Sequence, residues 1–163
     1  MKLVVQRVKE AQVTIKEELF SKIAKGMVIL VGVAKEDAFE DVDYLADKVV
    51  HLRIFEDDAG KMNLSALDIK GEFLIVSQFT LLGDCVKGRR PSFDQAAEPK
   101  KAEEFYGYFI QRVRDHNLRV ETGQFRAMMD VSLINDGPVT IVLDSTERLQ
   151  GEKNKKTKHA QGH

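Results

Sequence analysis

Two stretches of helical periodicity, set far apart among runs of strand-type residues, most constrain the fold of this chain. Asp37 and Glu40 have the spacing of a capping box before the first stretch, and Pro99 suits the first turn of a second helix. Apolar residues then recur every three or four positions at Val42, Leu45, Ala46, Val49 and Val50 and at Ala102, Phe105, Tyr106, Phe109, Ile110 and Val113. Because two helices interrupt the strands at wide intervals rather than alternating with them, the pattern favours an α+β fold over a doubly wound sheet.

The other apolar runs predict strands. They lie at residues 3–8, 11–15, 27–34, 53–56, 72–81, 128–134 and 139–144. Residues 57–60 and 135–138 have turn composition and separate neighbouring runs. At 163 residues, the chain fits one domain that buries roughly 70% of the surface exposed by its unfolded form.

Cysteine content and hydropathy restrict the compartment and the cofactors. Cys85 is the single cysteine, so no internal disulfide can form, and no cysteine or histidine pair within the predicted folded domain has zinc-ligand spacing. His159 and His163 are four residues apart, but in the predicted tail they indicate at most a chance metal pair. Gln6 and Arg7 end the apolar triplet at residues 3–5 too early for a signal peptide, and no segment could span a membrane. We therefore expect a cytoplasmic protein without a metal, a cofactor or a membrane partner.

The net charge of -1 conceals a basic C-terminus. Residues 151–163 carry four lysines and one glutamate, which leaves a charge of -4 on the rest of the chain. The segment lacks large apolar residues, so residues 149–163 are predicted to be a disordered tail after a single domain at residues 1–148. Nucleic acid would have to bind a local patch, and the best candidate is Lys87, Arg89 and Arg90, although such loop charges are ordinarily only solvated.

Two short segments carry polar groups in unusual positions. Residues 135–140 read NDGPVT, in which Pro138 makes a cis peptide bond affordable and Gly137 lets another chain or a ligand approach the backbone. A turn that starts a strand is the simpler interpretation of Gly-Pro alone. Residues 77–80 read SQFT at the end of an apolar run, and strand alternation would place Gln78 and Thr80 on one face.

No conventional hydrolytic centre is evident in the sequence. Ser77, Thr80 and Cys85 are possible nucleophiles, but no general base lies near them in sequence. His51 and His116 are placed at the ends of the predicted helices, where a histidine is stabilised without any catalytic role. The sequence offers no convincing triad, dyad or metal centre.

The two segments, SQxT and NxGPxT, together with MKLVVQRV at the start of the chain, closely resemble the D-aminoacyl-tRNA deacylases. The resemblance extends through the LLGD and KGRRPSF stretches and covers about residues 1–145. It implies a curved, barrel-like, mainly antiparallel sheet with two long helices, in a homodimer with active sites at the subunit interface. It also implies hydrolysis of the ester that links a D-amino acid, or glycine, to tRNA, with no cofactor and no DNA partner.

The resemblance further implies roles for particular residues. The terminal 2′-hydroxyl of the tRNA would help to activate water, while Ser77, Gln78 and Thr80 hydrogen-bond the adenosine and the ester. The carbonyls of Gly137 and Pro138, made parallel by a cis bond, would hold the α-amino group in the active site of a second subunit. The remaining expectations are that Arg7 braces the Gly-Pro segment, that Phe79, Phe125 and Met129 form an apolar wall against adenine, and that Lys87, Arg89 and Arg90 contact tRNA phosphates.

Several alternatives remain at this point. Arg7 could form a surface salt bridge, Thr80 could be a covalent nucleophile, and the three apolar residues could be core. The whole protein could be a non-catalytic RNA- or nucleotide-binding module, or a related deacylase with a trans Gly-Pro bond and different chirality. The sequence does not rank amino-acid side chains or assign a role to the basic tail.

Overall fold

A computed structural model describes residues 1–151 of the chain. Strands and helices follow one another in this part of the chain as β1 (Lys2–Ile15), β2 (Glu18–Ile23), β3 (Gly26–Gly32), α1 (Phe39–His51), β4 (Phe55–Glu56), β5 (Met62–Leu64), α2 (Ala66–Ile69), β6 (Glu72–Ser77), a 3-10 helix (Phe79–Leu82), α3 (Pro99–Arg114), β7 (Val120–Thr122) and β8 (Asp130–Asp144).

Strand β1 organises the sheet because it pairs with three others. It is antiparallel to β2, β3 and β8, whereas β6 pairs in parallel with β3 and with β7. The Ser21 hydroxyl on β2 donates a hydrogen bond of 2.8 Å to the Thr122 carbonyl on β7, which draws the two ends of the sheet together. The result is a nearly closed, barrel-like mixed sheet with two long helices, which confirms the predicted α+β class. Strands β4 and β5 form a separate hairpin.

The core lies on both faces of the central strands. Met27, Ile29 and Val31 of β3 face the layer formed by α1 and α3, while Val28 faces the barrel interior. A strand buried on both faces has no polar side to alternate with, which explains the continuous apolar run at residues 27–31. The predicted apolar stripes of both long helices pack in the helical layer, as expected.

The beginning of α1 differs from the prediction. Ala38, not Asp37, is the N-cap, and the Asp41 carboxylate accepts a hydrogen bond of 2.8 Å from the Ala38 amide. The Asp37 carboxylate instead accepts from the Ala34 amide and from the amine of Met1. The spacing of Asp37 and Glu40 predicted a helix cap, but a contact with Met1, which is distant in sequence, engages the Asp37 side chain instead. Helix α3 begins at Pro99 as predicted.

Three strand predictions need correction. Residues 3–8 and 11–15 form one strand, β1, and residues 135–138 lie within β8 rather than in a turn. Register shifts opposite Val8 in the β1–β8 ladder accommodate the Gly-Pro segment without ending either strand. Strand β6 ends at Ser77 because the chain turns into the 3-10 helix, so residues 78–81 are not strand.

Two further expectations concern membrane-spanning helices and the C-terminus. No helix within residues 1–151 is both long and apolar enough to cross a membrane. Residues 147–151 are helical, and the predicted tail continues into residues 152–163, which lie outside the described part. The division into a domain and a disordered tail therefore stays a prediction.

Candidate functional site

A cavity of about 630 Å³ lies where two parallel strands separate. The ladder between β6 and β7 ends at the pair formed by Ile75 and Thr122, and the two segments then diverge. One wall consists of residues 76–79, the opposite wall of residues 125–129, and α3 contributes Pro99 and Ala102. The structure thus brings together five residues that the sequence suggested for the site: Ser77, Gln78, Phe79, Phe125 and Met129.

The first wall is fixed by backbone contacts to the central sheet. The Gln78 amide donates a hydrogen bond of 2.7 Å to the Val31 carbonyl at the end of β3. The Gln78 side-chain amide donates to the Thr80 hydroxyl oxygen in a short contact. The 3-10 turn brings these two side chains together. The sequence predicted their proximity from strand alternation, and that reason was wrong. Thr80 is exposed and does not line the cavity.

The opposite wall is a loop folded around a methionine. The Met129 sulfur lies 3.3 Å from the Gln124 amide nitrogen, which donates to it. A Cβ atom on Gly123 would stand only 2.7 Å from the same sulfur, so glycine permits this close approach. Phe125 and Met129 are each half-buried, with surface available to the cavity.

The cavity carries little ionisable chemistry of its own. Among the residues that the structure describes, Arg126 is the one ionisable side chain in the lining. His51, His116 and Cys85 do not line it, and Cys85 is exposed in the loop before Arg89. Within the same described range, no group of three or more His, Cys, Asp or Glu residues is arranged to hold a metal ion. Residues 1–151 therefore place no carboxylate, imidazole or thiol in the cavity as a general base.

The Gly-Pro segment lies elsewhere, on the exposed part of β8. The Gly137–Pro138 bond is cis, as the resemblance implies, Gly137 has a φ of 132°, and both residues are exposed. Neither lines the cavity of its own chain.

Arg7 supports this segment from below. Its Nε donates a hydrogen bond of 2.9 Å to the Asp136 carbonyl, and its Nη1 donates one of 2.7 Å to the Ile54 carbonyl. The Arg7 Nε also lies 3.6 Å from Asp136 Oδ2, so an ion pair is present, but Arg7 is only 5% exposed and this pair is not on the surface as the alternative supposed.

Asn135 supports the same segment, and the sequence analysis did not single it out. Its Oδ1 accepts a hydrogen bond of 2.8 Å from the Val139 amide, and its Nδ2 donates one of 2.9 Å to the Thr140 hydroxyl. The side chain therefore spans the Gly-Pro pair. Its position in the NxGPxT segment was the available signal, because asparagine side chains often replace backbone partners in irregular segments.

Lys87, Arg89 and Arg90 occupy an exposed loop beside the cavity. Paired backbone hydrogen bonds of 2.7 and 2.9 Å between Asp84 and Ser92 close the base of this loop. No acidic side chain in residues 1–151 forms an ion pair with any of the three cations. Phe93, just after the loop, lines the cavity and meets Phe79 edge to face, with ring centroids 5.0 Å apart. Within the described part of the chain, the three cations are therefore not neutralised by an acidic side chain.

Comparison with known proteins assigns the family. The family model for D-Tyr-tRNA(Tyr) deacylase matches residues 4–144. The chain belongs to the D-aminoacyl-tRNA deacylase family. A D-aminoacyl-tRNA deacylase of Halothermothrix orenii is 58% identical over 149 residues, which are 91% of this chain and 100% of the relative. The Bacillus mycoides D-aminoacyl-tRNA deacylase is 57% identical over 145 residues, covering 89% of this chain and 99% of the relative.

Solved structures share the fold. One described as a c-Myc DNA Unwinding Element Binding Protein has a TM-score of 0.83 and 41% identity, covering 88% of this chain and 98% of its own. A probable eukaryotic D-amino acid tRNA deacylase has a TM-score of 0.78 with the same coverage, and at 17% identity it supports the fold alone. The family model and the sequence relatives confirm the predicted family and its class as a hydrolase, and the solved structures confirm the fold.

Proposed function

We propose that the protein hydrolyses the ester bond between tRNA and a D-amino acid or glycine, and that the cavity between residues 76–79 and 125–129 receives the aminoacylated 3′ end. The observation that carries this proposal is a cavity built from hydrogen-bonding and apolar groups, with no general base among the residues that the structure describes, in a chain of the deacylase family. Such a site suits a reaction in which the protein positions the substrate and the substrate supplies a reacting hydroxyl.

The two walls suit different parts of the substrate. The Ser77 hydroxyl and the second N–H of the Gln78 side-chain amide are the proposed donors to the ester and the ribose, in an oxyanion-type arrangement, since the Gln78 backbone amide already donates to Val31. Phe79, Phe125 and Met129 offer an apolar surface on which adenine can pack. Thr80 lies outside the cavity lining and assists indirectly, because its hydroxyl oxygen accepts a hydrogen bond from the side-chain amide of Gln78.

The 2′-hydroxyl of the terminal adenosine is proposed to activate the attacking water. Correct positioning alone can lower a barrier by roughly 7–11 kcal/mol, so a cavity without an acid or base suffices for hydrolysis of an activated ester. The lining supports this route, since it contains no carboxylate, imidazole or thiol among the described residues. No cofactor enters the reaction.

Chirality is proposed to be read by the Gly137 and Pro138 carbonyls, which accept hydrogen bonds from the substrate α-amino group. An L side chain would then meet the backbone, whereas glycine has no side chain to exclude. Both residues are exposed and lie outside the cavity of their own chain. They would therefore act in the cavity of a second copy.

A homodimer is accordingly part of the proposal. Strand β8 pairs with β1 along one edge, and its other edge has no partner within the described residues. It also exposes Val131, Ile134 and Val142 at 37%, 50% and 68%. A long unpaired strand edge with apolar side chains is ordinarily covered in a native protein, and a second copy would cover it.

Contact with the rest of the tRNA is assigned to Lys87, Arg89 and Arg90. Their exposed loop begins after the 3-10 helix that carries Phe79 and ends at Phe93, so it lies next to the proposed adenosine site. Phosphate contacts of this kind orient the nucleic acid without reading chirality. Because the proposed substrate takes part in translation, a cytoplasmic location is also part of the proposal.

A second candidate function is nucleic-acid binding without turnover. It is favoured by the relative described as a DNA unwinding element binding protein, which shares 41% identity with this chain. In that case the same cavity and basic loop would hold single-stranded nucleic acid, and no ester would be cleaved.

Parallel deacylation of D-Tyr-tRNA and L-Tyr-tRNA separates these possibilities. The proposed function predicts rapid loss of the D form and persistence of the L form. Binding of both with turnover of neither would support the binding module. Preferential loss of the L form would instead indicate a deacylase of different chirality.

A further inference from the structure

Tyr106 of α3 lies directly behind the cavity, at the point where its two walls separate. Its hydroxyl donates a hydrogen bond of 2.6 Å to the Ile75 carbonyl, and the side chain is buried. Ile75 is the last residue of β6 that pairs with β7. The next residues along the strand, Val76 and Ser77, line the cavity.

The same carbonyl joins both walls. The Gly123 amide nitrogen lies 3.3 Å from the Ile75 oxygen and donates to it, so this oxygen accepts one hydrogen bond from the opposite segment and one from α3. Burial raises the pKa of the Tyr106 phenol well above its usual value, so the hydroxyl remains a protonated donor at alkaline as well as neutral pH.

The ring of Tyr106 supports the second wall as well. It stacks against Phe125 with ring centroids 6.0 Å apart and an interplanar angle of 30°. Phe125 opens the segment that runs to Met129, and both of these residues line the cavity. One side chain therefore contacts the strand beneath one wall through its oxygen and the opposite wall through its ring.

We propose that Tyr106 is a positioning residue for deacylation: by contacting Ile75 and Phe125 together, it fixes the separation between the Ser77–Gln78 wall and the Phe125–Met129 wall. The inference rests on the proposed function of the cavity. It assigns to a core residue of α3 the task of holding the ester and the adenine at their correct spacing. Tyr106 does not line the cavity, so its effect is on geometry.

The chain provides a matched control on the same helix. Tyr108 also donates its hydroxyl to an acceptor, at 2.8 Å from Asp43 Oδ1, but it faces α1 and does not line the cavity. Tyr106→Phe and Tyr108→Phe each remove one oxygen and one hydrogen bond. In Tyr106→Phe, the Ile75 carbonyl keeps the Gly123 amide as a donor, so the fold should survive.

The test compares steady-state kinetics of both variants on D-Tyr-tRNA with their urea denaturation. Tyr106→Phe should lower kcat by roughly tenfold or more with KM for tRNA nearly unchanged, because misplacement of reacting groups affects the chemical step. Tyr108→Phe should keep wild-type kcat and KM. Equal kcat values for the two folded variants would overturn the assignment, as would a rise in KM alone.

A double-variant cycle tests whether the oxygen and the ring act together. Phe125→Leu should lower kcat by itself, and it should lower kcat much less in a Tyr106→Phe background, since the wall is already displaced. Independent, multiplicative losses would contradict the proposal. If Tyr106→Phe does not fold, Phe125→Leu alone must lower kcat by a larger factor than it raises KM, and failure to do so rejects the inference. Absence of turnover by the wild-type protein would instead reject the proposed function itself.

Discussion

The wall at Ser77 and Gln78 and the segment at Gly137 and Pro138 are held in opposite ways. The wall continues β6, which lies between β3 and β7, and backbone hydrogen bonds tie it to the core. The Gly-Pro segment lies on the open edge of β8 and depends on side chains, chiefly those of Arg7 and Asn135. Under the proposed function, catalytic positioning would therefore belong to the interior of the fold, and chiral selection to an exposed segment that individual side chains support.

Removal of Arg7 should have the largest effect on the Gly-Pro segment. Arg7→Ala leaves the Asp136 and Ile54 carbonyls without their donor, at about 1–3 kcal/mol of unfolding free energy for each buried acceptor. Turnover of D-Tyr-tRNA should fall by roughly a hundredfold as the Gly-Pro segment shifts. Urea denaturation and single-turnover kinetics measure the two effects. Arg112→Ala, which removes an exposed pair with Asp43, serves as the control, and an equal loss in both variants would refute the bracing role.

A Cβ atom at Gly137 should have a smaller effect confined to the selecting segment. It would stand 2.8 Å from Val139 Cγ2 and 3.0 Å from Arg7 Nη2, at a φ of 132°. We expect Gly137→Ala to lose on the order of 1–3 kcal/mol of stability and most D-Tyr-tRNA turnover. Gly107→Ala, in open space on α3, should instead gain about 0.5–1 kcal/mol. Wild-type stability and turnover in Gly137→Ala would contradict the proposed close approach.

Neutralising the basic loop should change affinity and leave both regions intact. Replacement of Lys87, Arg89 and Arg90 by glutamine should raise KM for charged tRNA and flatten its salt dependence, because each phosphate contact contributes to that slope. The preference for D over L should be unchanged. A salt titration of KM on both enantiomers makes the measurement, and a wild-type salt profile would show that the three cations are only solvated.

The smallest effect is expected from the basic tail. Deletion of residues 151–163 should leave folding and D-specific turnover nearly intact, because the segment has no large apolar residue to bury. Affinity for tRNA should weaken slightly at low salt, where a charge of +3 counts most. A large loss of activity at physiological salt would assign the tail to one of the two functional regions.

The sequence predicts the interior of this molecule better than its irregular segments. Apolar periodicity identified both long helices. Phe109 and Val113, for example, are four residues apart, and this spacing places both side chains on the buried face of α3. Periodicity could not foresee that residues 135–138 stay within a strand, because this depends on pairs distant in sequence: Asn135 pairs with Val8 and Thr140 with Gln6, so the irregular residues between them remain inside the β1–β8 ladder.

The candidate site shows the same contrast between regular and irregular segments. Ser77 and Gln78 were recognisable from their segment, but the 3-10 turn that joins Gln78 to Thr80 depends on where β6 leaves the sheet. Tyr106 was predicted only as part of an apolar stripe. Its contact with Ile75 joins residues 31 positions apart, and such a contact is not encoded in local spacing.

The central claim is that the reacting hydroxyl belongs to the substrate and not to Thr80. Single-turnover hydrolysis of D-Tyr-tRNA ending in adenosine or in 2′-deoxyadenosine, by the wild type and by Thr80→Ala, tests it directly. We expect Thr80→Ala to fold and to retain measurable hydrolysis of the normal substrate, because the side chain is exposed outside the cavity lining. The deoxy substrate should still bind but hardly turn over. Rapid cleavage of the deoxy substrate together with an inactive Thr80→Ala protein would contradict the account and identify a threonine hydrolase.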